Sequence, residues 1–146
     1  MTTRDFWPIM STPELRVLET VAGPGLLGEI HLGLARCWAE HEDIPTFIRM
    51  TVATGVAEIG ANIVQYAGGA RPVPVRMDIE VLPYQMKVVF IDEGVPATVD
   101  LAAVRTPDVL AKRGRGLALA SAVLDGLFYQ REGNCNQWTL VSRSFE

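Results

Sequence analysis

The chain has 146 residues, 49% apolar and 21% charged, with 13 basic against 17 acidic side chains and a formal net charge of −4. That balance fits one globular domain and excludes a disordered or collagen-like chain, a coiled coil and a strongly basic nucleic-acid footprint. The two cysteines, Cys37 and Cys135, are too few for a disulfide framework or a four-ligand zinc site, which suits a reducing compartment. The N-terminal MTTRDFWPIM lacks the apolar run and small-residue cleavage site of a signal peptide. The longest mostly apolar stretch, Gly116 to Leu124, is too short to cross a bilayer. A cytoplasmic protein without membrane attachment is expected.

Residues 1–13, broken by Pro8 and Pro13, read as a tail, and residues 14–146 as one domain. Leu15 to Ala22 suits a first strand, ended by Gly23-Pro24-Gly25. Leu26 to Glu42 reads as a helix whose buried stripe would be Leu27, Ile30, Leu34 and Trp38. Asp43 and Thr46 are candidate caps for the next helix, Thr46 to Ala67. There Ile48, Val52, Val56, Ile59 and Ile63 recur at helical spacing, and Gly68-Gly69 stops the run. Val73 to Leu82 and Gln85 to Ile91 read as strands joined by a Pro83-Tyr84 turn. The pattern from Val95 to Arg113 is irregular. Gly114-Arg115-Gly116 then opens an apolar helix to about Leu124. Leu127 to Glu132 and Gln137 to Arg143 read as closing strands joined by residues 133–136. The order β-α-α-β-β-loop-α-β-β groups strands in hairpins. It predicts an α+β, two-layer architecture with a mixed or antiparallel sheet covered on one face by helices.

Three segments carry chemistry. Glu58 and Asn62 are one helical turn apart, so a carboxylate and an amide project together. Such a pair orients a hydroxyl and offers oxygen to a hard cation such as Mg²⁺, although solvated helix faces carry the same pairs. Asp92-Glu93-Gly94 follows a strand. A carboxylate there accepts a hydrogen bond from an exocyclic amine and Gly94 admits a ligand close to the backbone, while Asp and Gly are also ordinary turn residues. Lys112-Arg113-Gly114-Arg115-Gly116-Leu117 places glycines and cations at a helix start. That arrangement suits a phosphate and equally a capped, solvated turn, and it is not a Walker A loop. His31 and His41 build neither HExxH nor a triad, and Cys37 suits a small core residue. Trp7, Trp38 and Trp138 are too dispersed for a base-stacking platform.

The order ExxxN, DxG, GxGL resembles the N, G1 and G2 boxes of the GHKL (Bergerat-fold) ATPases. Within them the chain looks most like the anti-sigma-factor serine/threonine kinases. The residues that carry this are VAEIGANIVQYA, VVFIDEGVP and KRGRGLALASAVLDGLFYQREGNCNQWTLV, within a match over residues 12–143. The resemblance implies helices over one face of a mixed sheet, and ATP and Mg²⁺ as cofactors. It implies Glu58 as the base that activates a protein hydroxyl and Asn62 as a Mg²⁺ ligand. Asp92 would meet the adenine amine and Gly94 would line the base pocket. Gly114 and Gly116 would present N–H groups to the phosphates, Lys112 or Arg113 would neutralise developing charge, and Arg115 and Leu117 complete the ATP-binding segment. Residues 95–113 would form the ATP lid. The partners implied are a sigma factor and a small anti-anti-sigma (STAS-type) protein, with a homodimer as the usual assembly and the first helix as partner surface, where His31 and Arg36 are polar candidates.

Three departures from the family pattern stand out. Pro96 occupies the place of a second glycine, Tyr66 a place where relatives often have His, and Asn136-Gln137 a place where many relatives carry hydroxyl residues near adenine. Pro96 implies a stiffer hinge. It motivates a second expectation, a nucleotide-gated protein-binding regulator lacking kinase activity. A plain α+β interaction domain is the third.

Overall fold

The structure, a computed structural model, describes residues 16–66, 72–97 and 112–146, without the side chains of residues 16–18, 66 and 112–115. The elements run β1 (Arg16–Val21), α1 (Leu26–Glu40), α2 (Thr46–Tyr66), β2 (Pro74–Val81), β3 (Met86–Asp92), α3 (Lys112–Val123), β4 (Gly126–Glu132) and β5 (Cys135–Val141). The expected tail at 1–13, the Gly68-Gly69 stop and most of the 95–113 segment lie outside the described residues.

The strands form one five-stranded sheet in the order β1-β2-β3-β5-β4, with every neighbouring pair antiparallel. Local chemistry explains the hairpins. Leu82 N–H donates to Gln85 O at 2.8 Å across the Pro83-Tyr84 turn. Glu132 pairs with Cys135, and Gly133 takes φ +60°, which a side chain would oppose. The β4–β5 connection is therefore a two-residue turn, tighter than the four residues expected, because Cys135 and Asn136 join the ladder. β5 stops at Val141 rather than Arg143. Ser142 leaves the ladder while still tied to β3, its N–H bonding Met86 O at 2.9 Å and its hydroxyl accepting from Met86 N at 2.8 Å.

Alternation sorts the sheet's two faces. Val75, Met77 and Ile79 of β2, Val88 and Phe90 of β3, and Trp138 and Leu140 of β5 share the main core with the helices. Val89, Ile91 and Cys135 form a smaller cluster on the other face. Over the first face, α2 buries Ile48, Val52, Val56, Ile59 and Ile63, the five residues its period singles out. By length and composition residues 46–65 would also pass as a membrane span, a longer apolar segment than Gly116 to Leu124, but here that apolar stripe belongs to the core.

The stripe of α1 keeps Ile30 and Leu34 as expected and shifts at its edge. Leu26, Ile30, Gly33, Leu34 and Cys37 are buried, whereas Leu27 is exposed and Trp38 half-buried. Leu27 and Ile30 flank α2 instead, where a Cβ on Gly60 would meet Ile30 Cδ1 at 2.7 Å and Leu27 Cδ2 at 3.1 Å. The connection between α1 and α2 is held by Arg49, which donates to Ile44 O at 2.9 Å and Glu42 O at 2.8 Å. Its guanidinium also lies 5.7 Å from the Trp38 ring centroid, within cation–π range.

Candidate functional site

Glu58 and Asn62 project from α2 one turn apart, in the fourth and fifth turns of a helix anchored by its apolar stripe. Asn62 is buried, at 8% exposure, and Glu58 half-buried. The space over Glu58 is defined by α3, where a Cβ on Gly116 would lie 2.7 Å from Glu58 Oε1. Further along, a Cβ on Gly55 would lie 2.9 Å from Leu124 Cδ1, so glycine sets the approach of the two helices at both points. The first and third chemical segments therefore converge. Among the described residues the Glu58 carboxylate accepts no hydrogen bond, which leaves it available to a ligand's proton.

α3 begins at Lys112, earlier than the glycines predicted, so Gly114 lies in its first turn and Gly116 just beyond. A first turn has four N–H groups without intrahelical partners and the positive end of the helix dipole, which suits phosphate. Leu117 is buried beneath it. For Lys112, Arg113 and Arg115 only the backbone is described.

Asp92 ends β3 and is 2% exposed. Register places it beside Val75 of β2 and Asn136 of β5, with Arg131 of β4 beyond, in one row on the helix-covered face. Its Oδ1 accepts from Gly94 N–H and from Asn136 Nδ2, each at 2.9 Å. Burial pushes the Asp92 carboxyl above its ordinary value of 3.8. The Asn136 amide, the Gly94 N–H and the Arg131 charge oppose that rise. Asn136 Nδ2 also donates to Val95 O at 2.8 Å. Arg131 Nη1 donates to Gly94 O at 2.6 Å and to Asn136 Oδ1 at 3.2 Å. The Tyr129 hydroxyl donates to Asn136 Oδ1 and accepts from Ala97 N–H at 2.9 Å. The Tyr129 ring packs against Trp138 with centroids 4.6 Å apart.

The sequence reading missed Tyr129 and Arg131, and saw Asn136 only as a departure from the usual hydroxyl. Alternation was the available signal, since 129 and 131 on β4 and 136 and 138 on β5 share the core-facing side. Pro96 is exposed, in a loop whose backbone is tied at Gly94, Val95 and Ala97.

Two groups fit this chemistry. A nucleotide fits an acceptor carboxylate at a strand end and free N–H groups at a helix start. A Mg²⁺ ion fits one protein oxygen, that of Asn62, because it keeps waters and takes its other ligands from phosphates. Among the described residues no three His, Cys, Asp or Glu side chains cluster as an all-protein metal cage.

A family model described as histidine kinase-like ATPase domain matches residues 22–141. Among solved structures, the histidine kinase domain of the blue-light activated histidine kinase from Erythrobacter litoralis EL346 superposes with a TM-score of 0.53 at 16% identity, over 80% of this chain and 60% of that one. The catalytic domain of histidine kinase ThkA, in a nucleotide-free form, gives 0.55 at 12% identity, over 86% and 95%. These likenesses concern the fold. No curated protein matches the sequence.

Proposed function

We propose, from the premise that this chain belongs to the histidine kinase-like ATPase domain family, that it is an anti-sigma regulatory factor. In this reading it is an ATP- and Mg²⁺-dependent serine/threonine kinase that phosphorylates a small STAS-type anti-anti-sigma protein and sequesters a sigma factor. The observation that carries it is the unengaged Glu58 carboxylate set against Gly116 at the start of α3.

ATP would supply the phosphoryl group and Mg²⁺ would offset the charge of its phosphates. Glu58 would accept the proton of the partner's Ser or Thr hydroxyl, and that oxygen would bond the γ-phosphorus in line as ADP leaves. Asn62 would give its amide oxygen to the cation. Asp92 accepts from the adenine amine beside Gly94. Gly114 and Gly116 let the α3 backbone approach the phosphates, with Lys112, Arg113, Arg115 and Leu117 completing that side. The protein acts in the cytoplasm as a homodimer, with no contact to DNA.

The fixed loop at 94–97, with Pro96 in it, favours a second reading, a nucleotide-gated regulator that binds its partner without phosphorylating it. Incubation with γ-labelled ATP and a candidate STAS protein separates the two. Label on the partner, lost in Glu58→Gln while ATP still binds, is the expected result. Transfer that survives Glu58→Gln rejects Glu58 as the base, and ATP binding without any transfer selects the second reading.

A further inference from the structure

We infer that Asn136 is a positioning residue for base recognition: its amide fastens the Asp92 carboxylate and the 94–97 loop into one preformed unit, with Tyr129 and Arg131 fixing the amide's orientation. This rests on the reading of Asp92 as the adenine acceptor.

The amide is saturated. Two acceptors face its Nδ2, the Asp92 carboxylate at 2.9 Å and Val95 O at 2.8 Å. Two donors face its Oδ1, the Tyr129 hydroxyl and Arg131 Nη1. Turning the amide over would set oxygen against carboxylate and carbonyl, so only one orientation satisfies all four partners. Asn136 is itself 3% exposed, and a half-satisfied network at that depth would be costly.

The consequence falls on Asp92. Its Oδ1 already holds two donors, while among the described residues Oδ2 receives none. One carboxylate oxygen is spent on the protein, and the other is aimed and left for a ligand's donor. A hydroxyl in place of Asn136 would bond the carboxylate with its single donor and have none left for Val95 O. The side chain thus couples two tasks, orienting the acceptor and fixing the loop wall beside it. A site already ordered does not spend binding energy on ordering.

Three full-length variants test this: Tyr129→Phe, Asn136→Thr and Asn136→Leu. Each is read by calorimetric titration with ATP across pH, by hydrogen exchange at the Ala97 amide and by a thermal melt. In Tyr129→Phe the Ala97 N–H loses its acceptor, so exchange quickens and ATP affinity falls about fivefold. In Asn136→Leu affinity falls about tenfold or more, and ATP binding fails at a higher pH than in the wild type, because Asp92 loses a donor and stays buried. The charged group of β4 bearing on Asp92 is Arg131; β2 sets Val75 beside it, and Glu93 follows it, exposed. Asn136→Thr restores a donor to Oδ1, so the pH profile returns toward the wild type, while Ala97 exchanges faster than in the wild type because the Tyr129 hydroxyl that holds it has lost the amide that orients it.

A wild-type chain that binds no ATP overturns the base-site reading and this inference with it. A wild-type chain that binds ATP, beside a Tyr129→Phe variant with faster exchange and unchanged affinity, overturns the positioning role alone. So does an affinity loss in folded Asn136→Leu with the pH profile unmoved, since that marks a purely structural residue. Should Asn136→Leu not fold, Tyr129→Phe decides.

Discussion

Glu58 and Gly116 share one space, since any side chain at 116 would begin 2.7 Å from the Glu58 Oε1 atom. The atom that must yield is the end of a flexible side chain, so the fold tolerates a methyl group there while the carboxylate does not keep its place. Gly116→Ala is expected to stabilise the helix by about 0.5–1 kcal/mol, the usual gain of Ala over Gly. Phosphoryl transfer is expected to fall about 100-fold, the scale of loss for a misplacement near 1 Å. A thermal melt beside a transfer assay checks both.

Asp92 sets stability against the ligand role proposed for it. Its carboxyl is raised in the folded state by burial, so the fold favours the protonated form. Stability from this group is fully present below its unfolded value, near 3.8, and is lost as pH rises through the folded-state value. At neutral pH the ionised carboxylate is therefore a cost. Asp92→Asn keeps an oxygen for Gly94 N–H and Asn136. It is expected to raise the urea midpoint at about pH 7.5, with the difference from wild type shrinking at about pH 4.5. ATP affinity is expected to fall in the same variant, as calorimetry would show.

Phe90 and Phe128 give a contrast on one sheet. Phe90 is fully buried on the helix-covered face, and Phe128 is 58% exposed. Phe90→Ala is expected to cost about 3–5 kcal/mol, and Phe128→Ala about 0.5 kcal/mol or less. Equilibrium unfolding in urea measures both.

Cys37 is chemically quiet. Burial, reinforced by Glu40 and partly offset by Arg49, pushes its thiol up to about 11. At pH 8 about one molecule in a thousand carries the thiolate, the nucleophilic form. Alkylation of Cys37 is expected to be slow in the native protein and to become rapid in urea, as mass spectrometry of the alkylated chain would show.

The helical core was legible because a period of 3.6 is written directly in Ile48, Val52, Val56, Ile59 and Ile63. The same rule placed Ile30 and Leu34 of α1 and missed at the edge of the stripe, naming Leu27 and Trp38 where Leu26 and Cys37 are buried, since periodicity gives an apolar arc but not which edge of it meets the sheet. The start of α3 was hidden by Gly114 and Gly116. Their low helix propensity argues for a loop, and packing onto α2, with Gly116 against Glu58 and Leu124 against Gly55, overrides it. Glu58 and Asp92 stood out by motif, because each lies in a short local pattern. Tyr129 and Arg131 did not, because their meaning depends on register with Asn136 and on a loop 32 to 37 residues away.

The pairing of Asp92 with Asn136 also sets an order of events during synthesis. The two are 44 residues apart, and β5 is the strand that joins the β4 hairpin to β3. At ribosomal rates of 5–20 residues per second, the partner follows roughly 2–9 s after the carboxylate. During that interval β3 has an open edge where β5 will sit, and Asp92 stands in water as an ordinary acid. The corner where Asp92, Asn136 and the 94–97 loop meet is consequently among the last features the nascent chain can complete.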